Sequence, residues 1–158
     1  MIPVELYNQD FNLWLEQTIH HLQNQNFVSL DLEHLIEELK TLGKSEKKSL
    51  QSNLMILIAH LLKLTVQFDV PETMKMSWYR SVAEHRKRVL IDIKDTPSLK
   101  SYLPTALAQA YPDARDLAIR ESKFAAFGVA TPSEDRYPEA CPFSLDQLLN
   151  EDFYGKSD

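Results

Sequence analysis

Arg80-Ser81-Val82-Ala83-Glu84-His85 sets an arginine and a histidine five positions apart, the two side-chain types that metal-independent RNA cleavage uses. The histidine would move a proton to or from the 2′-hydroxyl or the leaving oxygen, and the arginine would stabilise charge on the scissile phosphate. A continuous helix turns about 100° per residue, so the two side chains would stand roughly 140° apart and converge only near a helix start. His85 falls near the apolar stripe of Trp78, Val82 and Val89, while Arg80 faces outward. The expectation is therefore a partly buried His85 and a solvated Arg80, with the nuclease pair as the alternative.

Metal chemistry has a second set of candidates. His34 and Glu38 share a helix face at i and i+4, and Glu37 and His60 would add ligands from the same or a neighbouring helix. His34, Glu37 and Glu38 all lie off the stripe of Leu32, Ile36 and Leu39, so a solvated face is expected, with no metal and no cofactor. His60 is expected half-buried and hydrogen-bonded. His20 and His21 are adjacent, point in different directions and are read as surface residues. Glu121 shares a face with Leu103 and Ala114, which makes it either a partly buried acid or part of a fraying helix end. The basic groups Lys40, Lys44, Lys47 and Lys48, and Arg80, Arg86, Lys87 and Arg88, are read as mixed solvated surface. Cys141 has no second cysteine to pair with and is expected to be a small buried apolar residue in a reducing compartment. Glycine-rich phosphate loops, nucleophile elbows and zinc-finger spacings do not occur.

The elements that would position these groups are helices. Asp10 caps a helix over 11–23 whose Phe11, Leu15, Ile19 and Leu22 share one face, flanked by Trp14. Asp31 caps a second, with Leu32, Leu35, Ile36, Leu39 and Leu42 inward and Gly43 as a left-handed stop. A third starts at Ser45 and carries Leu50, Leu54, Leu57, Leu61, Leu64 and Phe68 as a heptad-like seam, with Pro71 beyond it. Ser77 caps a fourth running to Lys94, with Trp78, Val82, Val89 and Ile93 inward. Thr96-Pro97 opens a fifth that Pro104 and Pro112 should kink or divide, with Leu103, Leu107, Ala110, Ala114 and Leu117 inward. Residues 125–142 read as a surface loop, and Ser144 with Gln147 as a capping box opening a short last helix. The expected architecture is a single all-α domain over 1–158, an antiparallel bundle of about five main helices with an irregular C-terminal strap.

The balance of 17 Lys and Arg against 23 Asp and Glu gives a net charge of −6, which argues against a surface built to attract phosphate throughout. Three glycines leave few hairpin turns, so strands are not expected. The opening Met1-Ile2-Pro3-Val4-Glu5 has neither the basic nor the apolar run of a secretory leader, and no stretch reaches the roughly 18 apolar residues of a membrane span. A cytoplasmic protein without a membrane partner is expected.

Several segments, taken in order, resemble one family. They are Leu6-Tyr7-Asn8-Gln9-Asp10-Phe11-Asn12-Leu13-Trp14, then 30–39 from Leu30-Asp31 to Glu38-Leu39, His60-Leu61-Leu62-Lys63, Ser77-Trp78, Pro97-Ser98-Leu99 and Pro138-Glu139-Ala140-Cys141-Pro142. Over residues 6–153 the chain resembles the cyanobacteria-rich family called domain of unknown function 29. The resemblance implies a small helical bacterial protein and supplies no activity or catalytic residue. Tyr7, Trp14, Glu37, His60, Trp78 and Arg86 match its recurrent positions, and of these Trp14, His60, Trp78 and Arg86 are the candidates for binding. The Arg80 to His85 spacing is similar to that of the HEPN ribonucleases, also helical bundles, although the family does not require histidine at position 85. The leading expectation is a non-catalytic interaction or regulatory protein whose partner is another protein or itself, with nucleic acid a partner only under the ribonuclease alternative.

Overall fold

A computed structural model describes residues 5–124 and 131–156. The fold is all-α, 79% helical, without strands among the described residues. The chain divides into two compact units, residues 1–45 and 46–158.

The first unit opens with α1 (Leu6–Gln9) and α2 (Phe11–Gln23). Asp10 caps α2 as the sequence predicts, its carboxylate accepting from the Leu13 amide at 3.0 Å. After α2 the backbone turns through Gln25, whose φ of 54° lies in the left-handed region, into a short 3₁₀ turn at Phe27–Ser29. Helix α3 (Leu32–Val66) follows, with Asp31 ahead of it. Tyr7 meets His34 and Glu38, and Trp14 meets Asp31, so the chain runs down α3 as it runs up α1 and α2.

The inward face of this unit differs from the expected one. Trp14 and Thr18 are the buried residues of α2, while Phe11, Leu15, Ile19 and Leu22 are exposed. Leu32, Ile36, Leu39 and Leu42 are also exposed, although spacing alone assigns them to a core. The indole ring of Trp14 fills the interior, and its N–H finds an acceptor in Asp31 at 3.2 Å, so an aromatic with a polar handle displaces the aliphatic stripe.

The predicted stop at Gly43 and restart at Ser45 do not occur, because α3 is one helix of 35 residues. A glycine inside a helix costs only about 1 kcal/mol, which Leu39, Lys40, Leu42, Lys44, Lys47 and Lys48 around it offset through good helix propensity. A Cβ at Gly43 would meet nothing within 4 Å. Gly43→Ala is therefore expected to raise stability by about 0.5–1 kcal/mol in urea unfolding. A loss would show that the helix does not run through this position.

In the second unit the seam of Leu50, Leu54, Leu57, Leu61 and Leu64 is buried as predicted, and Ile58, Ala59, Leu62 and Val66 are buried too. This half of α3 is thus enclosed on most sides, while Phe68, just past its end, is exposed. By length and composition α3 reaches what a membrane span requires, with an 18-residue window of mean hydropathy 1.3, where the sequence reading expects none. Of that window 56% is buried within the protein, as befits a core helix.

Helix α4 (Glu72–Asp95) begins after Pro71, five residues ahead of the predicted cap. Ser77 is inside it, and its hydroxyl donates back to the Met74 carbonyl at 2.8 Å. Trp78, Val82 and Val89 point inward as expected, and Ile93 is partly buried. The predicted fifth helix is divided, with a 3₁₀ stretch at Pro97–Tyr102 leading into α5 (Leu103–Phe124), which carries Pro112 within it. Alanines 106, 110, 114 and 118 bury the small face of α5. In the expected loop, residues 125–130 lie outside the described residues, and the rest holds a 3₁₀ turn at Glu134–Arg136. Ser144 forms the predicted capping box with Gln147 and opens α6 (Leu145–Leu149). Tyr137, Phe143, Leu148 and Phe153 anchor this C-terminal strap in the core.

Candidate functional site

The ribonuclease candidates are placed on α4. Arg80 is exposed and His85 is half-buried, each as expected. His85 turns toward Ser81, its Nδ1 lying 2.8 Å from the Ser81 carbonyl and 3.3 Å from the Ser81 hydroxyl. The same hydroxyl is 3.3 Å from His60 Nδ1, which lies 2.8 Å from the Ile56 carbonyl. A carbonyl only accepts, so both Nδ1 atoms carry the proton and neither can serve as the base that activates Ser81. His60 is half-buried and hydrogen-bonded, as predicted. Burial pulls it down to about 4, assisted by the charges of Lys63 and His85 and opposed by its bond to Ile56. The structure thus joins His85 to Ser81 and His60, and no hydrogen bond or ion pair joins it to Arg80 among the described residues.

Arg86, read from the sequence as surface, and the pair Lys63 and Glu121 turn out to be structural. Arg86 is 1% exposed, not part of a solvated basic patch. Its Nε donates to the Leu148 carbonyl at 2.7 Å and an Nη donates to the Phe153 carbonyl at 2.6 Å, while its guanidinium lies over the Tyr154 ring. Burial lowers its pKa, against the opposing pull of Tyr154, Glu151 and Asp152. Lys63, which the sequence reading passed over, is buried, paired with Glu121 and placed 5.5 Å from the centre of the Trp78 ring. Burial pulls its ammonium down to about 8. Glu121 is the partly buried acid of the two expectations, since α5 runs on to Phe124.

His34 is likewise half-buried, not on a solvated face. Its ring stacks on Tyr7 at 4.0 Å, and its Nδ1 is 2.6 Å from Asp31. Glu38 accepts from the Tyr7 hydroxyl, and that bond, with burial and nearby carboxylates, pushes Tyr7 up to about 12. Burial raises the Asp31 carboxyl, but its bonds to His34 and Trp14 outweigh this and hold it below the usual carboxylate range. His34 and Glu38 are thus each engaged in the packing of the hairpin, and Glu37 is exposed. Among the described residues no three His, Cys, Asp or Glu side chains come together to hold a metal ion. His20 is exposed, and His20 and His21 turn to Asn24 and Asn26. Cys141 is half-buried, its thiol raised by burial and bonded to the Phe143 carbonyl at 3.4 Å.

Part of the outward surface of the hairpin is apolar. On α2 the buried positions are Trp14 and Thr18, and the exposed stripe of Phe11, Leu15, Ile19 and Leu22 is rotated about 75° from them. On α3 the contacts to Tyr7 and Trp14 come from Asp31, His34 and Glu38, and the exposed Leu32, Ile36, Leu39 and Leu42 are rotated about 110°, in the same sense along the chain. Because the two segments run in opposite directions, rotations of the same sense bring both stripes out on one side of the hairpin. Sequence spacing finds these residues but misassigns what covers them.

Residues 6–154 match the model of the family described as Domain of unknown function DUF29. No curated protein and no solved structure matches the chain. A match over nearly the whole chain, through the segments that build both the hairpin and the second unit, means that the protein belongs to the DUF29 family.

Proposed function

We propose that the protein is a helical interaction module whose N-terminal hairpin offers an apolar face to another polypeptide. One observation carries this reading: eight large apolar side chains, from Phe11 and Leu15 at 45% and 39% exposure to Leu39 and Leu42 at 59% and 64%, share one side of a two-helix layer. Single exposed leucines are ordinary, but a contiguous apolar layer is a feature of surfaces that are covered in use. A helix pair with one apolar face lacks the second layer that a stable core needs.

A photo-reactive amino acid placed at Leu39, and at Arg120 on the exposed side of α5 as control, tests this in cells of the source organism. Position 39 is expected to yield discrete covalent adducts with a polypeptide and position 120 none. Equal labelling at both positions, or none at 39, would sink the reading.

A further inference from the structure

We infer that the occupant of this face is the same face of a second copy, with the two α3 segments antiparallel across a two-fold axis. The inference rests on the reading of the hairpin as an interaction surface and names its partner. Two such layers stacked face to face make a four-helix core, a closed arrangement in which each layer supplies what the other lacks.

The area is adequate. The eight side chains are about half exposed on average, equal to about four whole side chains, and since seven are aliphatic and each covers less than the roughly 150–250 Å² of an aromatic, the face amounts to on the order of 500 Å² per copy. That is at the upper end of the roughly 300–600 Å² of a monomer's largest patch and approaches the ~800 Å² per partner of a stable interface.

The order of charge along α3 selects a copy and sets its direction. Round the helix from the apolar stripe, on the side away from Tyr7 and Trp14, run Glu33, then Lys40 and Lys44, about 95–135° from the stripe's centre. Two antiparallel helices related by a two-fold axis place equivalent flanks together, and an axis near Leu39 sets position 33 opposite 45. Glu33 of each copy then meets Lys44 of the other, and the stripe of Ile36, Leu39 and Leu42 meets itself. A parallel two-fold pairing would carry the equivalent flanks to opposite sides of the seam, where Glu33 of one copy reaches no Lys44 of the other. None of these three residues is in an ion pair within the chain among the described residues.

Sedimentation equilibrium of the full chain tests the inference. Wild type should show twice the 18.3 kDa of one chain, falling toward one chain on dilution. Leu39→Glu should be monomeric with unchanged helical circular dichroism, since Leu39 is exposed within the chain. Glu33→Lys should weaken association about tenfold, and Glu33→Lys with Lys44→Glu should restore it. A wild type that stays monomeric at its highest soluble concentration overturns the inference, as does a dimer that Leu39→Glu leaves intact or a charge swap that fails to restore. A monomer that still gives adducts at position 39 with a different polypeptide refutes the second copy and keeps the interaction reading. A monomer with no adducts refutes both.

Discussion

Arg86→Ala is expected to destabilise the protein by about 3–5 kcal/mol, read from the urea midpoint with an unchanged native circular dichroism spectrum. The guanidinium is the donor for the Leu148 and Phe153 carbonyls, one on α6 and one beyond it. Truncation leaves both acceptors without a donor and opens a cavity between α4 and the strap, each a source of about 1–3 kcal/mol. The loss cannot be confined to the strap, because Leu148 and Phe153 are themselves buried in the core. Arg86→Lys should recover only part of the stability, since one ammonium does not reproduce a planar fork that serves two carbonyls. Hydrogen exchange would show the amides of 145–154 opening first. A midpoint within about 1 kcal/mol of wild type would mean that the strap is held by its apolar residues alone. Burial is not wholly matched by bonding here, since Arg86 Nη1 is buried with no partner among the described residues, so the interaction is costly to make and more costly to break.

Arg86 also shows how much the sequence discloses. It falls four residues after Val82 and three before Val89, in register with the inward stripe of α4, and only its charge led it to be read as solvent-exposed. Periodicity carried the correct signal and residue type overrode it. Local chemistry was legible where a side chain meets its own backbone, as at the Asp10 cap and the Ser144 capping box. Ser77 has the same chemistry but spends it inside a helix, bonded to Met74. Gly43 was a credible stop that strong neighbours overrode. The exposed face of the hairpin was located by spacing, yet spacing reports only that one side of a helix is apolar. Whether that side meets the chain's own core or a second chain depends on partners that periodicity does not encode, and Trp14 had already taken the interior. Lys63 had no local signal, because its burial comes from α3 being enclosed nearly all round.

Acidification should expose the burden that His60 places on the second unit. The folded protein holds this imidazole at about 4, against 6.5 for the unfolded chain, so between these values the unfolded state binds more protons. Stability is therefore fully present above pH 6.5 and is lost as pH falls toward 4. The full shift sets a ceiling of about 3 kcal/mol, and partial solvent access to the ring reduces the expected loss to about 2 kcal/mol. The causes act together: burial first, then the charges of Lys63 and His85, while the bond from Nδ1 to Ile56 resists. Asp92 works the other way, since burial with Glu46 and Asp95 nearby raises its carboxyl and favours the folded state as protons bind. His60→Asn isolates the histidine, because asparagine does not titrate and its amide nitrogen takes the place of the ring Nδ1 that donates to the Ile56 carbonyl. Urea midpoints measured from pH 7 to pH 4.5 should fall more steeply for wild type than for this variant. Parallel curves would place the proton elsewhere and leave His60 a packing residue whose charge state has no weight in the stability of the fold.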